Sequence, residues 1–187
     1  MAIKIFIDQG HNPTNPNAGA EGNGFLEQDI NYEVGVRLGA LLAENPDFEV
    51  KLSRNSKDEV LGTSNTTSLQ ARVDAANQWD ADFFISLHCN ASYIETASGS
   101  EGYAYSRTSQ GWIMGEDILE ELNLSTGLEN RGMFVRPSLY VLRKTKMPAV
   151  LIEMGFITNY DDANLLAGSP ELFAEGIYNG ILRYYGF

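Results

Sequence analysis

The 187-residue chain contains a single cysteine, Cys89, so no internal disulfide can form and the fold does not depend on an oxidising compartment. Histidine is almost as scarce, with only His11 and His88. No apolar stretch approaches the ~20 residues that span a bilayer, which excludes membrane insertion by a helix. The opening Met1-Ala-Ile-Lys-Ile-Phe lacks the basic segment and apolar core of a signal peptide and reads as a strand, so no export signal is expected. Cations are in the minority: 13 Lys and Arg stand against 25 Asp and Glu, a net charge of −12. That balance disfavours nucleic acid, which needs clustered lysine and arginine, and anionic membrane surfaces. Its plainest role is solubility.

No repeat, low-complexity tract or linker interrupts the chain, so one domain, residues 1–187, is expected, long enough to bury about 70% of the surface its unfolded chain exposes. Apolar runs predict strands at residues 3–8, 48–54, 82–88, 101–106, 139–143 and 149–154. Helical periodicity predicts helices near 28–44, 68–79, 110–122, 160–166 and 170–185. The last helix has Ser169 at its N-cap, Pro170 at its first position and an apolar stripe of Phe173, Ile177, Ile181 and Tyr184. Segment 55–67 reads as a surface loop. Alternation of this kind predicts an α/β fold with three α/β/α layers around a mixed, mostly parallel sheet of about six strands.

Both histidines end apolar runs, Ile3-Lys-Ile-Phe-Ile-Asp-Gln-Gly-His11 and Asp82-Phe-Phe-Ile-Ser-Leu-His88. Their imidazoles should emerge at strand C-termini, where open α/β sheets place ligands. Two imidazoles meeting there suggest a metal, and two histidines with a glutamate and an open position make a catalytic zinc arrangement. The candidate third donor is Glu27, at the junction of a glycine-rich loop and a helix whose apolar face is Ile30, Val34, Leu38 and Leu41. The run Ala149-Val-Leu-Ile-Glu153-Met-Gly is apolar except for its glutamate. Each residue alone has a bland reading: a structural histidine, an acid favouring a helix N-terminus, a partner for a buried arginine. The four together point to a site.

At these residues the sequence resembles the zinc-dependent N-acetylmuramoyl-L-alanine amidases of bacterial cell-wall metabolism, of the amidase 3 type. The resemblance lies in Ile7-Asp-Gln-Gly-His11, Glu27-Gln-Asp-Ile-Asn31, Leu69-Gln-Ala-Arg72 with Ala76-Asn77, and Phe84-Ile-Ser-Leu-His-Cys-Asn-Ala91. It continues through Asn130-Arg-Gly132, Tyr140-Val-Leu-Arg143 and Pro148-Ala-Val-Leu-Ile-Glu-Met-Gly-Phe-Ile-Thr-Asn159. It implies Zn2+ held by His11, Glu27 and His88, with Glu153 as the catalytic glutamate. It further implies hydrolysis of the amide between N-acetylmuramic acid and L-alanine, with peptidoglycan as substrate and action at the cell wall or outside the cell. A monomer is expected, aided by a separate wall-binding domain or an activator. A phage lysin, an autolysin domain and a sporulation enzyme would all read this way. Two departures from the pattern are Asn12-Pro13, where the family usually has glycines, and Gln28, where it commonly has lysine. The same donors would serve a zinc peptidase cutting within the stem peptide, and a non-catalytic wall-binding module is a third reading that retention of Glu153 disfavours.

Around the site, Arg72 is expected to pair with Asp8 or Asp74, and Asp8 could instead accept a hydrogen bond from a zinc-bound imidazole. Arg131 and Arg136 flank the approach, as substrate contacts or structural ion pairs. Cys89, next to His88 but pointing to the opposite strand face, is not expected to be a ligand. Residues 91–100 are too short to supply a helix that would plug the cleft.

Overall fold

A computed structural model describes residues 2–187. In chain order the elements are β1 (Ile3–Gln9), a small hairpin of β2 (Glu21–Gly22) and β3 (Phe25–Leu26), α1 (Glu27–Glu44), β4 (Phe48–Leu52), α2 (Asn65–Trp79), β5 (Phe83–Asn90), β6 (Ser100–Ala104), α3 (Gln110–Thr126), β7 (Asn130–Val135), α4 (Tyr140–Lys144), β8 (Ala149–Phe156), α5 (Tyr160–Gly168) and α6 (Pro170–Tyr185).

Six strands form one sheet in the order β4-β1-β5-β8-β6-β7. All neighbours run parallel except β6 and β8, so the sheet is mixed and mostly parallel, as expected. Strand alternation sends Ile5, Ile7, Ile85, Leu87, Val150 and Ile152 to one face, against α1, α3 and α6. It sends Phe6, Phe84 and Leu151 to the other, under Val73 and Ala76 of α2 and Val141 and Leu142 of α4. The first layer is tight where α3 crosses α6: a Cβ on Gly180 would lie 2.4 Å from Ile118 Cα, so only glycine admits this approach. The second layer is thinner. Towards β6 and β7 the sheet face carries Tyr103 and the exposed Phe134, with rings 6.3 Å apart.

One predicted strand is wrong. Residues 139–143 form the start of the helix α4, and the sixth strand is β7. Tyr-Val-Leu-Arg suits a strand by propensity, but only as a helical turn can it lay both Val141 and Leu142 on the second face, with its end held by Asn77 donating to Lys144 O. β7 is a mostly exposed edge strand, so it lacks the apolar alternation that reveals a half-buried strand. Helix α2 begins three residues before its predicted start, because Ser64 caps it: its Oγ accepts from Thr67 N while the Thr67 hydroxyl accepts from Ser64 N. Pro170 opens α6 as expected, but the Ser169 side chain makes no capping hydrogen bond.

Candidate functional site

β1 and β5 lie side by side, and Gly10 N donates to Leu87 O at 3.0 Å, so both chains reach the same sheet edge together. A side chain at position 10 is excluded: a Cβ there would lie 2.5 Å from Cε1 and Nε2 of His88. The turn then places His11 in the left-handed region, at φ 68°. For a non-glycine residue that conformation is uncommon and needs support from its surroundings. Arg72 supplies it, donating from Nη2 to His11 O and from Nη1 to Gln9 O, both at 2.6 Å. The same Nη1 donates to Asp8 Oδ1 at 2.6 Å, and both side chains are only 1% exposed. Asp8 is thus the partner of Arg72, and Asp74 is not.

The departures at Asn12 and Gln28 have structural jobs. Asn12 is buried, donating to Pro16 O and Leu61 O and accepting from Leu61 N, which ties the His11 loop to the segment before α2. Gln28 accepts from Gly19 N and donates to Pro13 O.

Glu27 arrives by a different route. The β2–β3 hairpin turns at Asn23-Gly24, both with positive φ (52° and 82°), the conformation that Asn-Gly favours in two-residue hairpins. This returns the chain so that Glu27 N donates to Ala20 O while Glu27 Oε2 accepts from Ala20 N at 2.8 Å. The other oxygen, Oε1, lies 3.0 Å from His88 Nδ1 and 3.2 Å from His11 Nε2, and accepts from Cys89 N at 3.1 Å. Burial works against ionisation of Glu27, but its contacts with His11 and His88 outweigh it and hold the carboxyl far below the usual carboxylate range.

His11, Glu27 and His88 thus offer two ring nitrogens and a carboxylate oxygen within 4.8 Å of one another. Donors about 2.0 Å from a tetrahedral ion lie about 3.3 Å apart, and the two Glu27 contacts match that spacing. The donor set therefore fits a divalent cation of the borderline-soft kind. Asp8 does not accept from either imidazole; its Oδ2 accepts from Ser86 Oγ at 2.8 Å. The outer contact belongs instead to Asn17, whose carbonyl oxygen lies 3.3 Å from His11 Nδ1. Cys89 is buried on the opposite face, with Sγ directed at Asn31 Oδ1, and is not in the donor cluster.

Glu153 stands beside His88 across the β5–β8 pairing. Its residue surface is partly open, yet Oε2 is shielded and has no hydrogen-bond partner. Burial, reinforced by the charges of Glu27 and Glu101, pushes its pKa up to about 8. Glu101 is the residue that the sequence reading missed. It lies opposite Glu153 across β6–β8 and accepts from Asn90, Tyr103 and Arg131. An acid at the start of a short strand reads as surface, and nothing in its neighbours along the chain signals the pairing. The misassigned segment also returns here: Leu139, Tyr140 and Val141 join His11, His88 and Arg72 around a cavity of 120 Å³. Residues 91–99 form a loop with Tyr93 and Ile94 exposed, clamped by Ser98 Oγ and Gly99 N donating to Asp162.

Residues 5–183 match the family model described as N-acetylmuramoyl-L-alanine amidase. The chain is 37% identical over 188 residues to N-acetylmuramoyl-L-alanine amidase LytC of Bacillus subtilis (strain 168), covering 97% of this chain but only 35% of the relative. It is 36% identical to the amidase CwlM of Bacillus licheniformis, covering 97% of this chain and 68% of CwlM. The chain thus spans about a third of LytC's length and about two thirds of CwlM's. Among solved structures, an N-acetylmuramoyl-L-alanine amidase from Clostridium difficile 630 superposes with a TM-score of 0.88 at 28% identity, covering 99% of this chain and 97% of that one.

Proposed function

This chain belongs to the N-acetylmuramoyl-L-alanine amidase family, and from that premise we propose that it is a zinc-dependent peptidoglycan amidase. In this reading residues 1–187 form one catalytic domain acting at the cell wall. The bond cut joins the lactyl carbonyl of N-acetylmuramic acid to the amino group of L-alanine. His11, Glu27 and His88 hold Zn2+. The observation that carries the reading is the convergence of these three donors beside a glutamate whose Oε2 has no partner within the protein.

An amide resists hydrolysis because resonance weakens the carbonyl as an electrophile and the nitrogen is a poor leaving group. Zinc in such a site supplies Lewis acidity, polarising a carbonyl and making water acidic enough to ionise near neutral pH. Glu153 moves the protons. Its Oε2, which no group of the protein engages, accepts one from the attacking water and returns it to the departing amine nitrogen. Arg72 keeps His11 in position by holding its carbonyl, and the Asp8 carboxylate balances that buried charge.

The test is mass spectrometry of peptides released from purified peptidoglycan by zinc-loaded and metal-stripped protein. Intact stem peptides with a free N-terminal L-alanine, released only with zinc, are expected. Shortened peptides, with the remainder still on muramic acid, would replace the amidase by a peptidase. Glu153→Gln should keep bound zinc while the rate falls about 10²- to 10⁴-fold, the usual contribution of a positioned acid or base; an undiminished rate would remove Glu153 from the mechanism.

A further inference from the structure

The sheet face that carries Glu153 continues past it. Glu101 lies opposite Glu153, and Tyr103, two residues along β6, shares that face because its hydroxyl donates to Glu101 Oε2 at 2.9 Å. Phe134 pairs with Tyr103 in register, and above both rings lies Arg136, with Cζ 5.2 Å from the Tyr103 centroid and 5.9 Å from that of Phe134. Exposure rises along this stretch, from buried Glu101 through half-buried Tyr103, which still packs against the α2–α4 cluster, to exposed Phe134 and Arg136 at the sheet edge.

The cations along this stretch differ in what they have left to donate. Arg72 is tied to Asp8, and Arg131 to Glu101 at 2.7 Å and to Ser98 O. Among the described residues no carboxylate pairs with Arg136, whose side chain makes one hydrogen bond, donating from Nη1 to the adjacent Val135 O. The guanidinium lies within reach of two aromatic rings, and the residue is exposed, so the remaining donors are open to solvent. Unpaired with any carboxylate of the chain, such a fork is suited to bidentate recognition of a carboxylate.

We propose that Arg136 is a specificity residue that binds a free carboxylate of the stem peptide, beyond the amide that is cut; this rests on the amidase reading above. The charge balance calls for it. A peptide bearing carboxylates approaches a protein of net charge −12, on a face where Arg131 is already committed to Glu101. The reach also agrees. Glu101 to Tyr103 spans about 6.7 Å of strand, with the guanidinium just beyond, and a carboxylate on the second or third residue of an extended peptide lies on the order of 10 Å from its first nitrogen.

The probes are a soluble muramoyl tripeptide with free peptide carboxylates and the same compound with them converted to amides. Each is titrated calorimetrically into zinc-loaded Glu153→Gln protein, which binds without turnover. The acidic form should bind about fivefold tighter, the range an exposed ion pair supports, and added salt should erode the difference. Adding Arg136→Gln should abolish the preference and leave affinity for the amidated compound unchanged, while Arg136→Lys should retain part of it. Equal binding of the two probes, a preference that survives Arg136→Gln, or binding of neither would overturn the proposal. Failure of the amidase reading is separate: the unmodified protein would release no alanine-terminated peptide, whatever the calorimetry gave.

Discussion

Arg72→Met would leave the buried Asp8 carboxylate without its cation and the carbonyls of Gln9 and His11 without their 2.6 Å donors. Both members of the pair are 1% exposed, so water cannot compensate. Removing one partner of a buried ion pair costs about 3–5 kcal/mol. In a chain of this length, that should lower Tm by about 10 °C. The pH dependence follows from the direction of the Asp8 shift. Burial opposes its ionisation, but the Arg72 charge and the hydrogen bonds from Arg72 and Ser86 prevail and hold it below 3.8. A depressed native pKa stabilises the fold above the unfolded value and loses that contribution only as pH falls through the native one. The unmodified protein should therefore keep the pair's contribution down to pH 3.8 and lose it below. Without Arg72, burial, the largest influence, is opposed chiefly by the Ser86 hydrogen bond and raises the Asp8 pKa, so the variant's deficit should be largest at pH 7 and shrink as the pH approaches that raised value. Urea unfolding of metal-stripped protein at pH 7 and pH 5 measures both effects, and Asp8→Asn added to Arg72→Met should recover much of the loss. A deficit below about 1 kcal/mol at pH 7, against the 3–5 kcal/mol expected, would refute the reasoning, as would a deficit that is the same at both pH values.

Gly10→Ala should press on the His88 ring and weaken zinc binding, at a stability cost of about 1–3 kcal/mol; calorimetric zinc affinity equal to that of the unmodified protein would contradict the close approach described above. Zinc at 1,000 times its Kd should stabilise the protein by about 4 kcal/mol, and Glu27→Ala should make Tm nearly indifferent to zinc and to chelator. A Tm that still rises with zinc in that variant would place the ion elsewhere. Gly180→Ala should lower stability by about 1–3 kcal/mol through the α3–α6 contact while kcat below the melting range stays unchanged. Loss of activity there without loss of stability would tie α6 to the site in a way its position does not suggest.

The donors were legible in the sequence because each sits at a punctuation mark: His11 and His88 at the ends of apolar runs, Glu27 where glycine-rich chain gives way to helix. Glu153 stood out as the single charge in an apolar strand. Glu101 and β7 were not legible. β7 is a mostly exposed edge strand in which Met133 alone packs against the core cluster, so burial leaves little imprint on its composition. Residues 139–143 were misread for the opposite reason, since their β-prone, apolar character suits either a strand or one buried helical turn. Asn23-Gly24 carried a hairpin signal that the glycine-rich loop reading passed over.

The alternation of strand and helix, the class of sheet and the candidate metal donors are written along the chain, because periodicity and turn chemistry act between residues close in sequence. That Arg72 serves Asp8, that Glu101 stands beside Glu153, and that Arg131 is paired with a carboxylate while Arg136 is not, emerge from the folded arrangement alone. Those outcomes depend on strand order and register between segments tens of residues apart, set by which faces must be buried together.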